Sequence, residues 1–458
     1  MTVETVIANG TLVTEHGTRE GALAIDEGRI VAVGKRDRLP VADTVVDATG
    51  QLVMPGVVDP HVHVGDHVSL DTYETASKAA ALGGVTTFID FAWQGFDGDA
   101  GPDPEVSLLE GIADKRSRAA ASVVDFGLHA GLLREDPAAF DSFPDLVEAG
   151  VTSVKMYTAY EFGLSHGFIR RALDRLADHG IVALFHTEDD SICEALTEEL
   201  RAAGRTDERW YPRSRPDYTE AIAANAAARI AREVGAKYYG VHTSCEEAAD
   251  VLAAHRDDGT RIRAETCTHY TALTDERYES DGALPRIAPP LRTAADRDAL
   301  FEHLRRGSLQ VVSTDHVAQS AATKTASNWW EGPYGANGLQ RSLQVFQDEA
   351  VAERGLSYPF VVRVMCANPA RTFGLPNKGT LDPGTDADIV LFDPTASDEI
   401  TAGENASVAD YSLYEGRQVT GRVTKTFVRG ELVADDGAVV GTPGHGRFVE
   451  RTVPEWTA

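Results

Sequence analysis

Between residues 56 and 370 the sequence alternates short apolar, β-branched runs with amphipathic stretches, and it does so eight times. The runs are VVDPHVHV (57–64), VTTFIDF (85–91), VVDFGLHA (123–130), VTSVKMY (151–157), IVALFHT (181–187), YYGVHTS (238–244), RIRAETC (261–267) and LQVVSTD (309–315). Continuous apolar runs of this length read as strands buried on both faces. The stretches between them include TYETASKAAALGG, FIRRALDRLADHG and TEAIAANAAARIAREVG, and the last two end in a Gly that can close a helix in the left-handed conformation. Eight strand-then-helix units make an α/β chain with a (β/α)8 barrel of the TIM type the leading architecture.

The two ends of the chain follow another pattern. ANGTLVTEHG near the start and VRGELVADDG near the finish both read as strand, turn, strand. Two hairpins of one kind at opposite ends are expected to pair into a single small β-domain, a β-sandwich closed by both termini. The expected division is 1–55 for its first part, 56–370 for the barrel, and 371–458 for its second part and a tail.

Composition removes several classes of function. A net charge of −28 repels a polyanion over most of the surface, which excludes nucleic acid as a partner. No apolar run approaches the length of a membrane span. The opening MTVETVIANGTLV lacks the basic-then-apolar pattern of a secretory leader, so a cytoplasmic protein is expected. Cys193, Cys245, Cys267 and Cys366 are far apart and form no CxxC pair, so neither disulfides nor a thiolate zinc site is expected. Most of the 43 basic residues are Arg, and the acidic excess fits a salt-adapted or high-GC source as well as a merely solubilising surface.

Inside the apolar run VTSVKMY stands Lys155. A lone lysine at a strand end ordinarily extends its ammonium to water. Other polar residues occupy matching places, however. His61 and His63 form an HxH in the first strand, where residues two apart share a face and can reach one metal ion. His186 and His242 lie near the ends of the fifth and sixth strands, and Asp315 at the end of the eighth. In a barrel these positions converge on one mouth, which scattered histidines have no reason to do. His67, His129, His166, His179, His255, His269, His303 and His316 are read as surface residues or supports.

Divalent ions nearby would repel a protonated amine. Burial and positive charge favour its neutral form, which can take up carbon dioxide to give a carbamate with two ligand oxygens. Four neutral imidazoles, a carbamate, one Asp and a bridging hydroxide leave two divalent ions at a net charge of about plus one.

Over nearly its whole length the sequence resembles the cyclic amidohydrolases of the amidohydrolase superfamily, and most of all the dihydropyrimidinase and hydantoinase group. The resemblance is carried by GVVDPHVHV, AALGGVTTFIDFA, KMYTAY, FHTEDD, VHTSCEEA, AETCTHY, APPLR, STDH, NPARTFGL, KGTLDPGTDADIVLFDP and the tail TKTFVRGELVADDGAVVGTPGHGRFVER. It implies hydrolytic ring opening of a hydantoin, a dihydropyrimidine or a related cyclic ureide by a hydroxide bridging two metals. His61, His63, carboxylated Lys155 and Asp315 would hold one metal, and Lys155, His186 and His242 the other. Zinc is the default ion, with manganese, cobalt or iron as substitutes. Asp315 would pass a proton to the leaving nitrogen, and Tyr160 would donate to the oxyanion. Substrate contacts are implied at Tyr160, Ala288 and Asn337, and a homotetramer is expected.

The sequence departs from the group in places. Ala288 stands where many hydantoinases have Ser, which bears on the preferred ring. The loop TASNWWEGPYGANGLQ brings Trp329, Trp330 and Tyr334 toward the mouth, either to stack on a substituent or to pack the loop. Its GLQ resembles allantoinases, which makes allantoin the alternative substrate. Gly65 stands where dihydroorotases usually carry an Arg, so that activity is disfavoured. Scaffold members of the family have lost metal ligands, whereas all six positions are filled here.

Overall fold

The computed structural model describes residues 2–97, 101–102 and 106–456. Eight parallel strands form one sheet in chain order, Val57–Asp59, Val85–Trp93, Asp125–Gly131, Ser153–Tyr157, Val182–His186, Lys237–Gly240, Ile262–Cys267 and Val311–Ser313. Helices including Tyr73–Leu82, His166–Asp178, Asp217–Val234 and Ala294–Arg306 connect them. The chain is a TIM-type (β/α)8 barrel. Helix Asp217–Val234 shows why these stretches form helices. Its alanines Ala221, Ala224, Ala227, Ala228 and Ala231 make a buried stripe at helical spacing, and Gly235 closes it at φ +69°.

The barrel closes at its mouth by a separate device. The expected strands 57–64 and 309–315 are each interrupted, the first at Pro60, which has no N–H to donate to a ladder. Beyond the interruptions, His316 pairs with Val62 and Val317 with His63. The seam between first and last strands is thus sewn beside the HxH and Asp315. The expected sixth strand is also shorter, ending at Gly240, so His242 stands in the loop that follows.

Both termini enter one nine-stranded sheet that forms the β-sandwich domain. The two hairpins do not pair with each other. Leu52–Pro55 and Ile389–Glu399, themselves antiparallel partners, lie between them. Ile7, Leu23, Ile25, Ile30, Val53, Ile389, Leu391 and Phe427 fill the core of this sheet.

Candidate metal centre

The strand ends converge as parallel register requires. Lys155 pairs with Leu184 and Tyr157 with His186 on the adjoining strand, so successive strands bring their last residues to one level. His61, His63, Lys155, His186, His242 and Asp315 are all buried and all line one cavity of about 650 Å³.

Asp315 Oδ1 is 3.0 Å from His61 Nε2 and 3.2 Å from His63 Nε2. One ligand atom from each of these three residues fits within 4.8 Å of the others. His186 Nδ1 and His242 Nε2 face each other at 2.9 Å. The outward nitrogens are tied to carboxylates, His61 Nδ1 to Glu265 Oε1 at 2.6 Å and His186 Nε2 to Glu188 Oε2 at 2.8 Å. Histidines held from behind by carboxylates, with their free nitrogens turned on a common space, are a donor set that fits divalent metal ions.

Lys155 completes the ring. The chain has eight lysines, and five of them, Lys115, Lys155, Lys237, Lys324 and Lys378, are buried. Lys115 reaches Asp90 at 2.9 Å, Lys237 the Gly180 carbonyl at 2.8 Å, Lys324 the Gly335 carbonyl at 2.9 Å and Lys378 Asp125 at 2.6 Å. Among the described residues Lys155 Nζ has no such oxygen, and lies over the rings of Phe91 and Tyr157 at 5.2 and 5.1 Å from their centroids. Burial lowers its pKa to about 8, against the pull of Asp315 and Glu265. Burial and the neighbouring His186 and Lys155 also hold His242 well below the usual imidazole range. His61 goes the other way. Burial would lower it, but Asp315 and Glu265 raise it to about 9.

Three residues at the mouth have left-handed backbones, Tyr160 at φ +69°, His242 at +38° and Asp315 at +47°. Such a conformation costs a non-glycine residue roughly 1–2 kcal/mol and persists where the surroundings impose it. After Tyr160 and His242 the chain turns outward toward a helix, and after Asp315 it enters the short strand His316–Val317.

The remaining sequence expectations divide. Tyr160 lines the cavity with its hydroxyl 3.5 Å from Glu188 Oε2, and Ala288 is part of the wall. Asn337 is not part of the wall. Its amide nitrogen donates to the Tyr411 carbonyl, which turns the side chain away. Of the three loop aromatics, Tyr334 reaches the cavity, whereas Trp329 is buried with its Nε1 on the Arg205 carbonyl and Trp330 packs edge-on against it. Of the other histidines, His67 lines the cavity and His129 supports the floor of the site, bonding Ser153 Oγ and the Pro60 carbonyl.

Sequence reasoning missed Glu188, Glu265 and the apolar wall of Trp93, Leu133 and Phe162. A signal existed for both carboxylates. Glu188 follows His186 by two residues, and Glu265 is the one acidic residue of the strand Ile262–Cys267.

The chain is similar to known proteins in sequence and in fold. The model of the amidohydrolase family matches residues 52–433. The chain is 35% identical to a D-hydantoinase of Streptomyces coelicolor, over the whole length of both. Its structure resembles the dihydropyrimidinase of Brevibacillus agri with a TM-score of 0.93 and 31% identity, covering 98% of this chain and 99% of that one. It also resembles an L-hydantoinase (dihydropyrimidinase) of Arthrobacter aurescens with a TM-score of 0.91 and 29% identity, covering 98% and 100%.

Proposed function

The chain belongs to the amidohydrolase family, and from that premise we propose that it hydrolyses a cyclic amide, opening the ring of a hydantoin, a dihydropyrimidine or a related cyclic ureide. The observation that carries this reading is the mouth itself. Four imidazoles, one Asp and the one buried lysine without an oxygen partner among the described residues line a single cavity. His61, His63, Lys155 and Asp315 would hold one divalent ion and Lys155, His186 and His242 a second, with Lys155 as its carbamate and zinc as the default metal. When bound, such ions polarise a carbonyl and supply hydroxide at neutral pH.

The residues of the chain do the rest. Asp315, kept well below the usual carboxylate range by His61 despite its burial, is an ionised base in contact with the cavity. It takes the proton of the attacking water on a carboxylate oxygen and delivers it to the ring nitrogen as that nitrogen leaves. The Tyr160 hydroxyl, kept protonated by burial, donates to the oxygen on which charge develops. Trp93, Leu133, Phe162, Ile287 and Tyr334 form an apolar wall that suits a ring substituent and excludes bulk water. A homotetramer in the cytoplasm is the expected assembly and place.

The test is turnover by the metal-loaded protein on dihydrouracil, substituted hydantoins, allantoin and dihydroorotate. Ring opening of hydantoins or dihydrouracil, abolished by chelation and restored by metal, is expected. No turnover on any of the four by fully metallated protein contradicts the reading.

A further inference from the structure

The loop that carries Tyr160 is sewn to the loop after the next strand. Thr158 N donates to the His186 carbonyl at 3.1 Å. Thr158 Oγ1 donates to the Glu188 carbonyl at 2.9 Å and accepts from Glu188 N at 3.1 Å. These contacts carry the parallel pairing of the two strands beyond their ends. The last contact is of another kind. Tyr160 N donates at 2.9 Å to Oδ1 of Asp190, a side chain on the first residue of helix Asp190–Ala202.

Tyr160 is the left-handed residue of this loop. It is followed by Glu161 and not by a glycine, and within the loop Gly163 N bonds the Tyr160 carbonyl at 2.8 Å and Leu164 N the Tyr157 carbonyl at 2.9 Å, neither of which engages the Tyr160 amide. A side chain in a disfavoured backbone conformation stays put only if its backbone is held from outside. Asp190 supplies that hold. Its neighbour Asp189 already caps the helix, accepting from Ile192 N at 3.1 Å, so Asp190 is not needed for capping.

We propose that Asp190 is a positioning residue, whose carboxylate fixes the left-handed backbone of Tyr160 and thereby aims the Tyr160 hydroxyl into the cavity. This rests on the reading of Tyr160 as hydrogen-bond donor to the reacting oxygen. Asp190 touches neither substrate nor metal ligand in this account. It acts on kcat through Tyr160 alone.

Three variants separate the bond from the charge. Asp190→Asn keeps an acceptor oxygen in place, Asp190→Ala removes it, and Asp190→Glu keeps the charge at the helix start but displaces the oxygen by a methylene. In the metal-free, chelated protein, amide hydrogen exchange at Tyr160 is expected to accelerate roughly tenfold in Asp190→Ala and Asp190→Glu and to stay near wild type in Asp190→Asn. In the metal-loaded enzyme, kcat is expected to fall roughly tenfold in the Ala and Glu variants, with KM, metal content and melting temperature little changed. Adding Asp190→Ala to Tyr160→Phe is expected to cost nothing further in kcat.

Unchanged exchange and unchanged kcat in both the Ala and Glu variants overturn the proposal. So does a loss that adds fully to that of Tyr160→Phe, or a loss in Asp190→Ala that Asp190→Glu restores. Should Ala fail to fold, Glu against Asn makes the same comparison. A slow Tyr160→Phe with a normal Asp190→Ala removes the present inference only, whereas a normal Tyr160→Phe removes the role of Tyr160 and this inference with it.

Discussion

Two lysines are buried at opposite ends of the same barrel, in opposite electrical settings. Lys378 lies at the floor, where its Nζ contacts Asp125 at 2.6 Å, Asp388 at 2.7 Å and Asp386 at 3.0 Å. Asp125 opens the third barrel strand, and Asp386 and Asp388 lead into strand Ile389–Glu399 of the terminal sheet, so this cluster joins the two domains. Lys155 lies at the mouth with two aromatic rings and no carboxylate in ion-pair contact among the described residues. Both amines carry the desolvation cost of burial, but only at the floor is it offset by carboxylates in ion-pair contact; at the mouth the pull of Asp315 and Glu265 leaves burial the larger effect. A matched buried charge ties elements together. An unmatched one is a group prepared for chemistry, which agrees with the general division of barrels into a stabilising floor and a reactive mouth.

The sharpest way to break this comparison is to remove each amine in turn. Lys155→Ala is expected to lose roughly 10³-fold or more in kcat/KM, because the proposed ligand of both metals is removed. Short carboxylic acids added to that variant should restore part of the rate, whereas Lys155→Arg, whose guanidinium cannot form a carbamate, should respond neither to acids nor to carbon dioxide. Lys155→Met is expected to melt no lower than wild type. A fall in its melting point without loss of rate would make Lys155 structural.

Tyr160→Phe comes next, with an expected fall in kcat of roughly 10²-fold to 10³-fold at unchanged metal content. Steady-state kinetics with metal analysis on one preparation decides it. A rise in KM alone would mean that the hydroxyl binds ground and transition states equally.

At the floor the expected effect is on stability. Lys378→Met leaves Asp388 without its cation beside Asp125, which keeps Arg429, and Asp386, which keeps Arg29, and should cost about 3 kcal/mol in chemical denaturation, while the activity per folded molecule stays near wild type. Loss of activity in fully folded Lys378→Met would erase the distinction between the two ends.

The smallest effect sharpens the mouth. Glu188 is buried, which would raise its pKa, but Arg215 at 2.7 Å and His186 lower it from its ordinary 4.5 to about 2. A lowered carboxylate pKa contributes stability that is present above pH 4.5 and lost as pH falls through about 2. The melting-point difference between wild type and Glu188→Gln should thus be widest above pH 4.5 and narrow on acidification. A difference that stays constant over this range would show that the carboxylate charge contributes nothing.

The sequence revealed the mouth better than the floor, for physical reasons. His61, His63, Lys155, His186, His242 and Asp315 break a strong local pattern, each a polar residue in or just beyond an apolar run. Lys378 breaks none. In NKGTLDPGTDADIV it reads as one more charge in an exposed turn, and its burial comes from Asp125, 253 residues away. Glu265 and Glu188 fell between. The partner of Glu265 at His61 is 204 residues distant, and TEDD reads as the acidic start of a helix, which it also is. For Asn337 a loop position does not tell which way the amide turns, and its side chain faces the Tyr411 carbonyl. The strand boundaries erred at Pro60, His242 and Asp315, where closure of the barrel and left-handed backbones override the run of β-branched residues.

The claim beneath all of this is that the mouth is a two-metal centre bridged by Lys155. Elemental analysis of folded, undialysed protein tests it most directly, with wild type beside Lys155→Ala. About two divalent ions per wild-type chain, and a clear loss in the variant, are expected. Folded wild-type protein without stoichiometric metal, or a variant that keeps both ions, would contradict it.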